Sequence, residues 1–254
     1  MSWTKAVVTG ASSGIGDSVA RQLAAQGAHV LLVARTRERL EALATDLGGP
    51  ERATVVVADL ADHADMEGVA HLIATDPEID LVVNNAGFGV HGVMAESDGA
   101  EQLSMVEVMV RCLTLLSQAA AVTMAPRGRG GILNISSVGG FTPAATFAVY
   151  GASKAYVNSF TQALHAELAP VGVQVTCVAP GFTRTEFQDR ANYDASGTPD
   201  FMWQSADEVA RIALKSLEKN KVLVVPGIQN KVIVGALRPL ARWLQRRITR
   251  AASG

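Results

Sequence analysis

The chain has 254 residues, of which 48% are hydrophobic and 18% charged, a balance that suits one well-buried globular domain and excludes a disordered or fibrous chain. Its formal net charge of −2 offers nucleic acid no general attraction, so we expect no nucleic-acid partner. The two cysteines, Cys112 and Cys177, lie in apolar runs, and we expect neither a leader peptide nor a transmembrane anchor, which favours the cytoplasm.

Short β-branched segments alternate with longer amphipathic segments along the chain. The strand-like segments are, in order, AVVTG, AHVLLVA, ATVVVAD, IDLVVNN, GGILNISS, GVQVTCVAP and KVLVVPG. They are apolar on both faces, which is typical of parallel strands that helices cover on each side. The pattern predicts a single α/β domain over residues 1–254, a doubly wound, Rossmann-type parallel sheet of about seven strands with helices on both faces.

The first strand runs directly into TGASSGIG, residues 9–16, and then into a helical pattern. Three glycines allow a tight turn that brings the backbone close to a pyrophosphate at a helix N-terminus, where free N–H groups and the helix dipole favour anions. The predicted contacts of this turn with a dinucleotide are Gly10, Ser12, Ser13, Gly14, Ile15 and Gly16.

The second strand leads into ARTRERL, where a ribose-binding carboxylate would be expected about 20 residues after the glycines. Arg35 stands there instead. A guanidinium can bind a 2′-phosphate through two parallel hydrogen bonds, so Arg35 favours NADP(H) over NAD(H). The alternative is a solvated arginine that faces Glu38 or Glu41 on a helix.

The segments ADL and NNAG, which follow the third and fourth strands, supply further candidate cofactor contacts. We expect Asp59 to accept from the adenine amine, and Asn84 and Gly87 to line the ribose. The full set after these two strands is Asp59, Leu60, Asn84, Ala86 and Gly87.

A tyrosine and a lysine stand four residues apart in YGASK. If this segment is helical, the Tyr150 hydroxyl and the Lys154 ammonium lie on one face. TGASSGIG, NNAG, the serine of NISS, YGASK and PGFTRTEF occur in this order over about residues 4–226, and together they resemble the short-chain dehydrogenase/reductase family.

The resemblance implies an NADP(H)-dependent oxidoreductase that interconverts a carbonyl and a primary or secondary alcohol, with no metal. Tyr150 is then the general acid/base, and Ser137 donates to the carbonyl oxygen as charge builds there. Lys154 lowers the pKa of the phenol and bonds the nicotinamide ribose hydroxyls. The residues implied to hold the nicotinamide carboxamide are Pro180, Gly181, Thr183 and Thr185.

One position departs from the family pattern. Many members carry an asparagine in the long helix before the serine strand, where it holds a water that links the lysine to solvent, and the register places Met109 there. A thioether is at best a weak acceptor. The alternative function is therefore a catalytically weak NADP(H)-binding sensor or scaffold protein.

Residues 185–205 combine aromatic and turn-forming residues, which predicts a mobile lid over a pocket, with a passive surface loop as the alternative. Apolar side chains here and in GFGVHGVMAESD predict an apolar carbonyl or alcohol substrate, although core or subunit-interface roles would explain them equally. They are Phe88, Val90, Val93, Met94, Phe187, Phe201 and Trp203.

Two further expectations concern surfaces. Residues 230–254 read as a basic helical tail, interrupted at Pro239, which docks with a solvated basic face or, alternatively, contacts an anionic membrane surface. The segments EQLSMVEVMVRCLTLLSQAA and TFAVYGASKAYVNSFTQALHAELA are apolar around much of a helical circumference, which predicts a homodimer or homotetramer with twofold symmetry.

Overall fold

A computed structural model describes residues 3–237 and confirms the predicted α/β architecture. The strands are β1 (Lys5–Thr9), β2 (His29–Ala34), β3 (Ala53–Val57), β4 (Ile79–Asn84), β5 (Gly130–Ile135), β6 (Val173–Val178), β7 (Thr183–Arg184), β8 (Gln204–Ser205) and β9 (Leu223–Val224). The helices are α1 (Gly14–Ala25), α2 (Arg37–Asp46), α3 (His63–Thr75), α4 (Gly99–Val106), α5 (Leu113–Met124), α6 (Ala148–Leu168), α7 (Phe187–Arg190), α8 (Ala206–Glu218) and α9 (Ile228–Leu237).

Seven strands form one parallel sheet in the order β3-β2-β1-β4-β5-β6-β9. The chain builds outward from β1 to β2 and β3, and then crosses back to place β4 on the other side of β1. Loops that leave β1 and β4 therefore diverge at the carboxyl edge of the sheet, which is where doubly wound sheets bind their ligands.

Successive side chains of each central strand enter opposite layers of the core. In β1, Ala6 and Val8 join the layer under α1, α2 and α8, whereas Val7 joins the layer under α3, α5 and α6. All three are at most 1% exposed, and burying an aliphatic side chain such as valine contributes roughly 1.5–3 kcal/mol. Burial on both faces explains why the strands lack a polar alternation.

One long helical stretch, Gly99–Arg127, is apolar enough and long enough to cross a membrane, with a mean hydropathy of 1.5 over its most apolar window. Half of that window is buried inside the protein, and α5 packs against α3, β4 and β5. A core helix has the same length and composition, and the packing identifies this stretch as one. A π-helical segment, Glu107–Cys112, interrupts it between α4 and α5.

The predicted lid is more regular at its end than the sequence indicated. Gln204 and Ser205 form β8, which pairs with β7, because the chain returns beside the turn that follows β6. We use the term lid segment for residues 185–203, which lie between these strands. The predicted tail begins inside α9, and its remainder, residues 238–254 with Pro239 and five arginines, lies outside the described residues.

Candidate active site

A pocket of about 360 Å³ lies at the carboxyl edge of the sheet, beside the divergence of β1 and β4. Its walls come from the glycine-rich turn, the loops after β4, β5 and β6, the first turns of α6, and α7. The predicted site residues that line it are Gly10, Ser12, Ser13, Gly14, Ile15, Ala86, Gly87, Ser137, Tyr150, Lys154, Pro180, Gly181, Thr183 and Thr185. The predicted site residues outside its walls are Gly16, Arg35, Asp59, Leu60 and Asn84.

The glycine-rich turn packs so closely that side chains would not fit. Gly10 has a left-handed backbone with φ of 65°, and a Cβ on Gly16 would lie 2.2 Å from the Gly10 carbonyl oxygen. Helix α1 begins at Gly14, and residues 12–15 line the pocket. The free N–H groups of the first turn of α1 are therefore next to the pocket, where they suit an anion.

Asn85 holds this turn in place, a role that the sequence reading missed. Its side-chain Nδ2 donates to the Thr9 carbonyl oxygen at 2.9 Å and to the Gly10 carbonyl oxygen at 3.3 Å. The Thr9 hydroxyl accepts in return from the backbone N–H groups of Asn85 and Ala86, both at 3.0 Å. These bonds join the ends of β1 and β4 and shape the floor of the pocket.

Asn84, expected to line the ribose, has its side chain in the core instead. The side chain is 4% exposed, and its Nδ2 donates to Asn134 Oδ1 at 2.8 Å and to Ser117 Oγ at 3.0 Å. Because strand side chains alternate between faces, one of two adjacent asparagines must turn away from the pocket. Asn84 is the last residue of β4, and Asn85 is the neighbour that lines the pocket.

Arg35 and Asp59 lie together at the ends of β2 and β3, outside the pocket walls. The Arg35 Nη1 is 4.0 Å from Asp59 Oδ2, and 69% of the Arg35 side chain is exposed. The guanidinium is thus not tied to Glu38 or Glu41, the alternative partners. Leu60 is a core residue with 5% exposure, which leaves only its backbone available to a ligand.

Tyr150 and Ser137 face each other across the pocket mouth. The Ser137 hydroxyl accepts from the Gly139 N–H at 3.1 Å, which fixes it at the end of β5 near the Tyr150 phenol. Burial raises the pKa of Tyr150, and the nearby Ser137 hydroxyl lowers it in part. The expected net lowering of this pKa by Lys154 is wrong, because the low-polarity surroundings of the phenol disfavour the phenolate.

Lys154 is 6% exposed and lies below the tyrosine ring. Its Nζ donates to the Ile135 carbonyl oxygen at 3.0 Å and is 5.8 Å from the centroid of the Tyr150 ring. Burial lowers the pKa of this ammonium to about 8. The Ser136 hydroxyl donates to the Lys154 carbonyl oxygen at 3.0 Å, so it holds α6 against β5.

Met109 lies beside the lysine, as the family resemblance implied for this position of the helix. A Cβ on Gly87 would lie 3.3 Å from the Met109 Sδ and 3.5 Å from the Lys154 Nζ, so both atoms adjoin one point of the pocket wall. Met109 belongs to the π-helical segment and is 1% exposed. Widened helical turns of this kind are frequent at functional sites, and no sequence pattern indicated this one.

The turn after β6 forms the opposite wall. The Val138 N–H donates to the Pro180 carbonyl oxygen at 2.9 Å, which joins this turn to the serine loop. The Thr183 hydroxyl donates to the Gly181 carbonyl oxygen at 3.1 Å, and the Thr185 hydroxyl accepts from the Phe187 N–H at 3.2 Å. The four residues implied to hold the carboxamide thus lie at one end of the pocket.

Aromatic rings form the remaining wall, around Tyr150. The ring centroids of Phe147 and Phe187 lie 5.8 and 5.3 Å from that of Tyr150. Of the apolar side chains singled out in the sequence, Phe88 and Phe187 line the pocket. Val93, Met94 and Phe201 are more than half exposed, and Trp203 lies beneath the Arg184 guanidinium in an adjoining depression. The sequence reading missed Phe147, although it stands three residues before Tyr150.

The arrangement suits a dinucleotide and a proton transfer. A glycine cradle at a helix N-terminus and a buried lysine beside a phenol are donors that suit a nicotinamide dinucleotide, and a largely exposed arginine stands near the end of the second strand. A phenol and a hydroxyl that face one apolar space can both donate to a carbonyl oxygen. Among residues 3–237, no cluster of three or more His, Cys, Asp or Glu side chains could hold a metal ion.

Comparison with known proteins identifies the family of the chain. Residues 4–196 match the short chain dehydrogenase family. A short-chain dehydrogenase from Sphingobium yanoikuyae, solved in complex with NADPH, is 33% identical with a TM-score of 0.84, over 92% of this chain and 93% of that one. The bulky-bulky ketone specific alcohol dehydrogenase from Comamonas testosteroni is 30% identical with a TM-score of 0.81, over 99% and 94%.

A relative identified by sequence is also an oxidoreductase. An oxidoreductase from Staphylococcus epidermidis is 36% identical over 202 residues, which cover 77% of this chain and 87% of the relative. The fold and the pocket define a dinucleotide-binding oxidoreductase of the Rossmann type. The chain belongs to the short-chain dehydrogenase/reductase family.

Proposed function

We propose that this protein is an NADP(H)-dependent enzyme that interconverts a carbonyl and a primary or secondary alcohol on an apolar small molecule. The observation that carries the proposal is the convergence of Ser137, Tyr150 and Lys154 on one pocket that also contains the glycine-rich turn. The aromatic wall around Tyr150 supports an apolar substrate. The ketone in the name of the Comamonas relative supports the same reaction class.

In this mechanism the bound nicotinamide supplies the hydride. Tyr150 donates its proton to the carbonyl oxygen during reduction and accepts one from the alcohol during oxidation. The Ser137 hydroxyl donates a hydrogen bond to the same oxygen as negative charge develops there. Lys154 uses the donors that are not bonded to Ile135 to orient the cofactor ribose, and Pro180, Gly181, Thr183 and Thr185 hold the carboxamide.

A preference for NADP(H) over NAD(H) is part of the proposal. Arg35 is the residue proposed to bind the 2′-phosphate, and the NADPH in the Sphingobium structure supports this choice. Since 69% of the side chain is exposed, we expect Arg35→Ala to narrow the preference by about 1.5 kcal/mol, the low end for a charge-assisted bond. Calorimetric titration of both cofactors measures this, and equal affinities in the unmutated protein would contradict the preference.

The remaining expectations belong to the same proposal. We propose that the enzyme works in the cytoplasm as a homodimer or homotetramer, with the lid segment covering the substrate. The basic tail is proposed to dock on the protein, and binding to vesicles of anionic lipid would show instead that it contacts membranes.

An NADP(H)-binding sensor or scaffold protein with weak catalysis is the second candidate. The observation that favours it is Met109, a buried thioether beside Lys154 where many relatives have an asparagine. A thioether is a poor partner for a water that would return protons to the lysine.

A panel of apolar ketones and aldehydes, with NADPH oxidation followed by absorbance, distinguishes the two candidates. We expect turnover of at least one apolar carbonyl and slower turnover of polar carbonyls of matched size. Tight NADPH binding without turnover across the panel would favour the sensor. Failure to bind either nicotinamide cofactor would overturn both.

A further inference from the structure

An ion pair joins α2, which follows the second strand of the sheet, to the lid segment. The Arg39 Nη1 donates to both carboxylate oxygens of Glu186, at 2.8 and 3.1 Å. Arg39 lies in the first turn of α2, close in sequence to Arg35, whereas Glu186 lies 147 residues later, immediately before α7. The pair therefore joins two elements that no other salt bridge among the described residues connects.

The residue next to Glu186 in the lid segment packs against the glycine-rich turn. A Cβ on Gly14 would be 2.9 Å from the Thr185 Cγ2, so the residue before Glu186 touches the N-terminus of α1. Glu186 and Arg190 line the same pocket as residues 12–15. A dinucleotide on the glycine-rich turn would consequently lie between the two elements that the pair connects.

Charge and geometry single out Arg39 among the neighbouring arginines. Arg35 is 4.0 Å from Asp59 at the closest, and Arg37 makes a pair of 3.6 Å with Glu41 inside its own helix. Arg39 alone of the three pairs with the lid segment, and its bond lowers the pKa of Glu186. Glu186, which precedes α7, also pairs with Arg190 at the end of that helix, and this second pair holds the carboxylate on the lid side.

We propose that the Arg39–Glu186 ion pair is a strap that holds the lid segment closed against α2 and slows release of the bound cofactor. The retention step rests on the proposed NADP(H) function, whereas the closure of the lid segment does not. Arg39 and Glu186 are then positioning residues, which act through the lid and make no contact with the reacting atoms.

The ligand-free protein tests the closure by hydrogen–deuterium exchange of the backbone amides in residues 185–203. We expect Arg39→Ala and Glu186→Gln each to raise exchange by about two- to fivefold, the change typical of losing a half-exposed ion pair. Arg37→Ala is the matched control, since Arg37 stands on the same helix and its one ion pair in the described part of the chain is with Glu41 of that helix. Equal effects of Arg37→Ala, or no effect of Arg39→Ala, would overturn the strap.

Stopped-flow measurement of NADPH dissociation tests the retention. The dissociation rate should rise by a similar two- to fivefold in Arg39→Ala. In Arg39→Lys, which keeps the positive charge, the rate should return toward that of the native protein. The double variant Arg39→Ala with Glu186→Gln should dissociate no faster than Arg39→Ala alone. Raising the salt concentration should reduce the difference between the native protein and Arg39→Ala, because both side chains are close to half exposed.

Other results would decide against the strap. If Arg39→Ala weakened NADPH but not NADH, and left lid exchange unchanged, Arg39 would be a phosphate ligand and the strap would be wrong. Fully additive effects of the two substitutions would also overturn it. If the protein bound no NADPH, the proposed function and the retention would both fail, whereas lid exchange in the ligand-free variants would still decide the closure.

Discussion

Tyr150 is half-buried between two phenylalanine rings, and this environment determines the protonation state of its phenol. The rings of Phe147 and Phe187 exclude water from one side, and burial raises the pKa of the phenol. At neutral pH the phenol therefore carries its proton, which suits it to donate to a carbonyl oxygen during reduction. The nearby Ser137 hydroxyl brings a second donor to the same side of the pocket.

Replacing Tyr150 with phenylalanine tests that role. Tyr150→Phe should keep the fold and NADPH binding but lose carbonyl reduction by about 10²–10⁴-fold, the usual contribution of general acid catalysis. Steady-state kinetics and a fluorescence titration with NADPH measure the two effects. Tyr156→Phe is the control on the same helix and should retain activity, since within residues 3–237 the one hydrogen bond of its hydroxyl is to Thr114, at 2.7 Å. Full activity of the Tyr150 variant would contradict the role.

The burial of Lys154 makes the stability of the fold depend on pH. Its pKa is lowered from 10.5 to about 8 in the folded protein. The folded state therefore binds this proton more weakly than the unfolded state does, so burying the ammonium costs stability below pH 8. That cost decreases as the pH rises from about 8 toward 10.5, where the lysine is neutral in the folded state.

Lys154→Met should therefore stabilise the ligand-free protein while weakening its function. We expect a higher midpoint of thermal unfolding at pH 7, a smaller gain above pH 9, and weaker NADPH binding at both pH values. Lys231→Met, which removes an exposed lysine on α9, should change neither property. A lower unfolding midpoint at pH 7 would show that the buried ammonium stabilises the fold.

The junction of β1 and α1 is the element proposed to hold the cofactor pyrophosphate. Gly16 lies at the third position of α1, where its Cα adjoins the Gly10 carbonyl and the Asn85 amide. These groups are backbone, or side chains bonded to backbone, so they cannot move aside without opening the turn. The same geometry that brings the helix N-terminus to the pocket leaves no room for a methyl group.

Gly16→Ala should accordingly destabilise the protein by about 1–3 kcal/mol, the range for overpacking a tight site, and weaken NADPH binding. Gly68→Ala is the matched control, since Gly68 is exposed inside α3 with no neighbour within 4 Å of a Cβ. That substitution should stabilise the protein by about 0.5–1 kcal/mol through helix propensity. Chemical denaturation of both variants measures the effects, and equal stabilities would contradict the close approach at Gly16.

At the scale of the whole molecule, apolar side chains remain exposed on the outer faces of the long helices. Leu103 in α4 is 67% exposed and Val122 in α5 is 60% exposed. Scattered apolar residues are ordinary on a protein surface. These two, however, lie on the strongly apolar helical stretch Gly99–Arg127, and only half of its most hydrophobic window is buried within one chain. A second copy of the chain would cover them.

We therefore expect light scattering at micromolar concentration to report a dimer or tetramer. Leu103→Glu with Val122→Glu should shift the mass toward the monomer, because a buried unpaired carboxylate opposes association. Phe201→Glu, at an equally exposed apolar residue of the lid segment, should leave the mass unchanged. A monomer mass for the native protein would rule the assembly out.

Local patterns in the sequence were sufficient for the seven strands, the glycine-rich turn, and the placement of Tyr150 and Lys154 on one helix. Each of these depends on residues close together in the chain, through strand composition, backbone freedom at glycine or helical periodicity. The motifs also indicated the family, because several of them occur in the order that is typical of it. The family resemblance, with the helical register, indicated Met109 as the residue near the lysine, and the two side chains do adjoin one point of the pocket wall.

Only the tertiary structure decided which neighbours meet. Alternation requires adjacent asparagines to diverge, but only the tertiary contacts show that Asn85 reaches the pocket and Asn84 the core, and the pKa of Lys154 follows from how deeply it is buried. The Arg39–Glu186 pair joins residues 147 positions apart, a distance at which no local pattern indicates contact. Alternation and helical period act over a few residues, whereas burial and ion pairing depend on where the whole chain brings distant segments together.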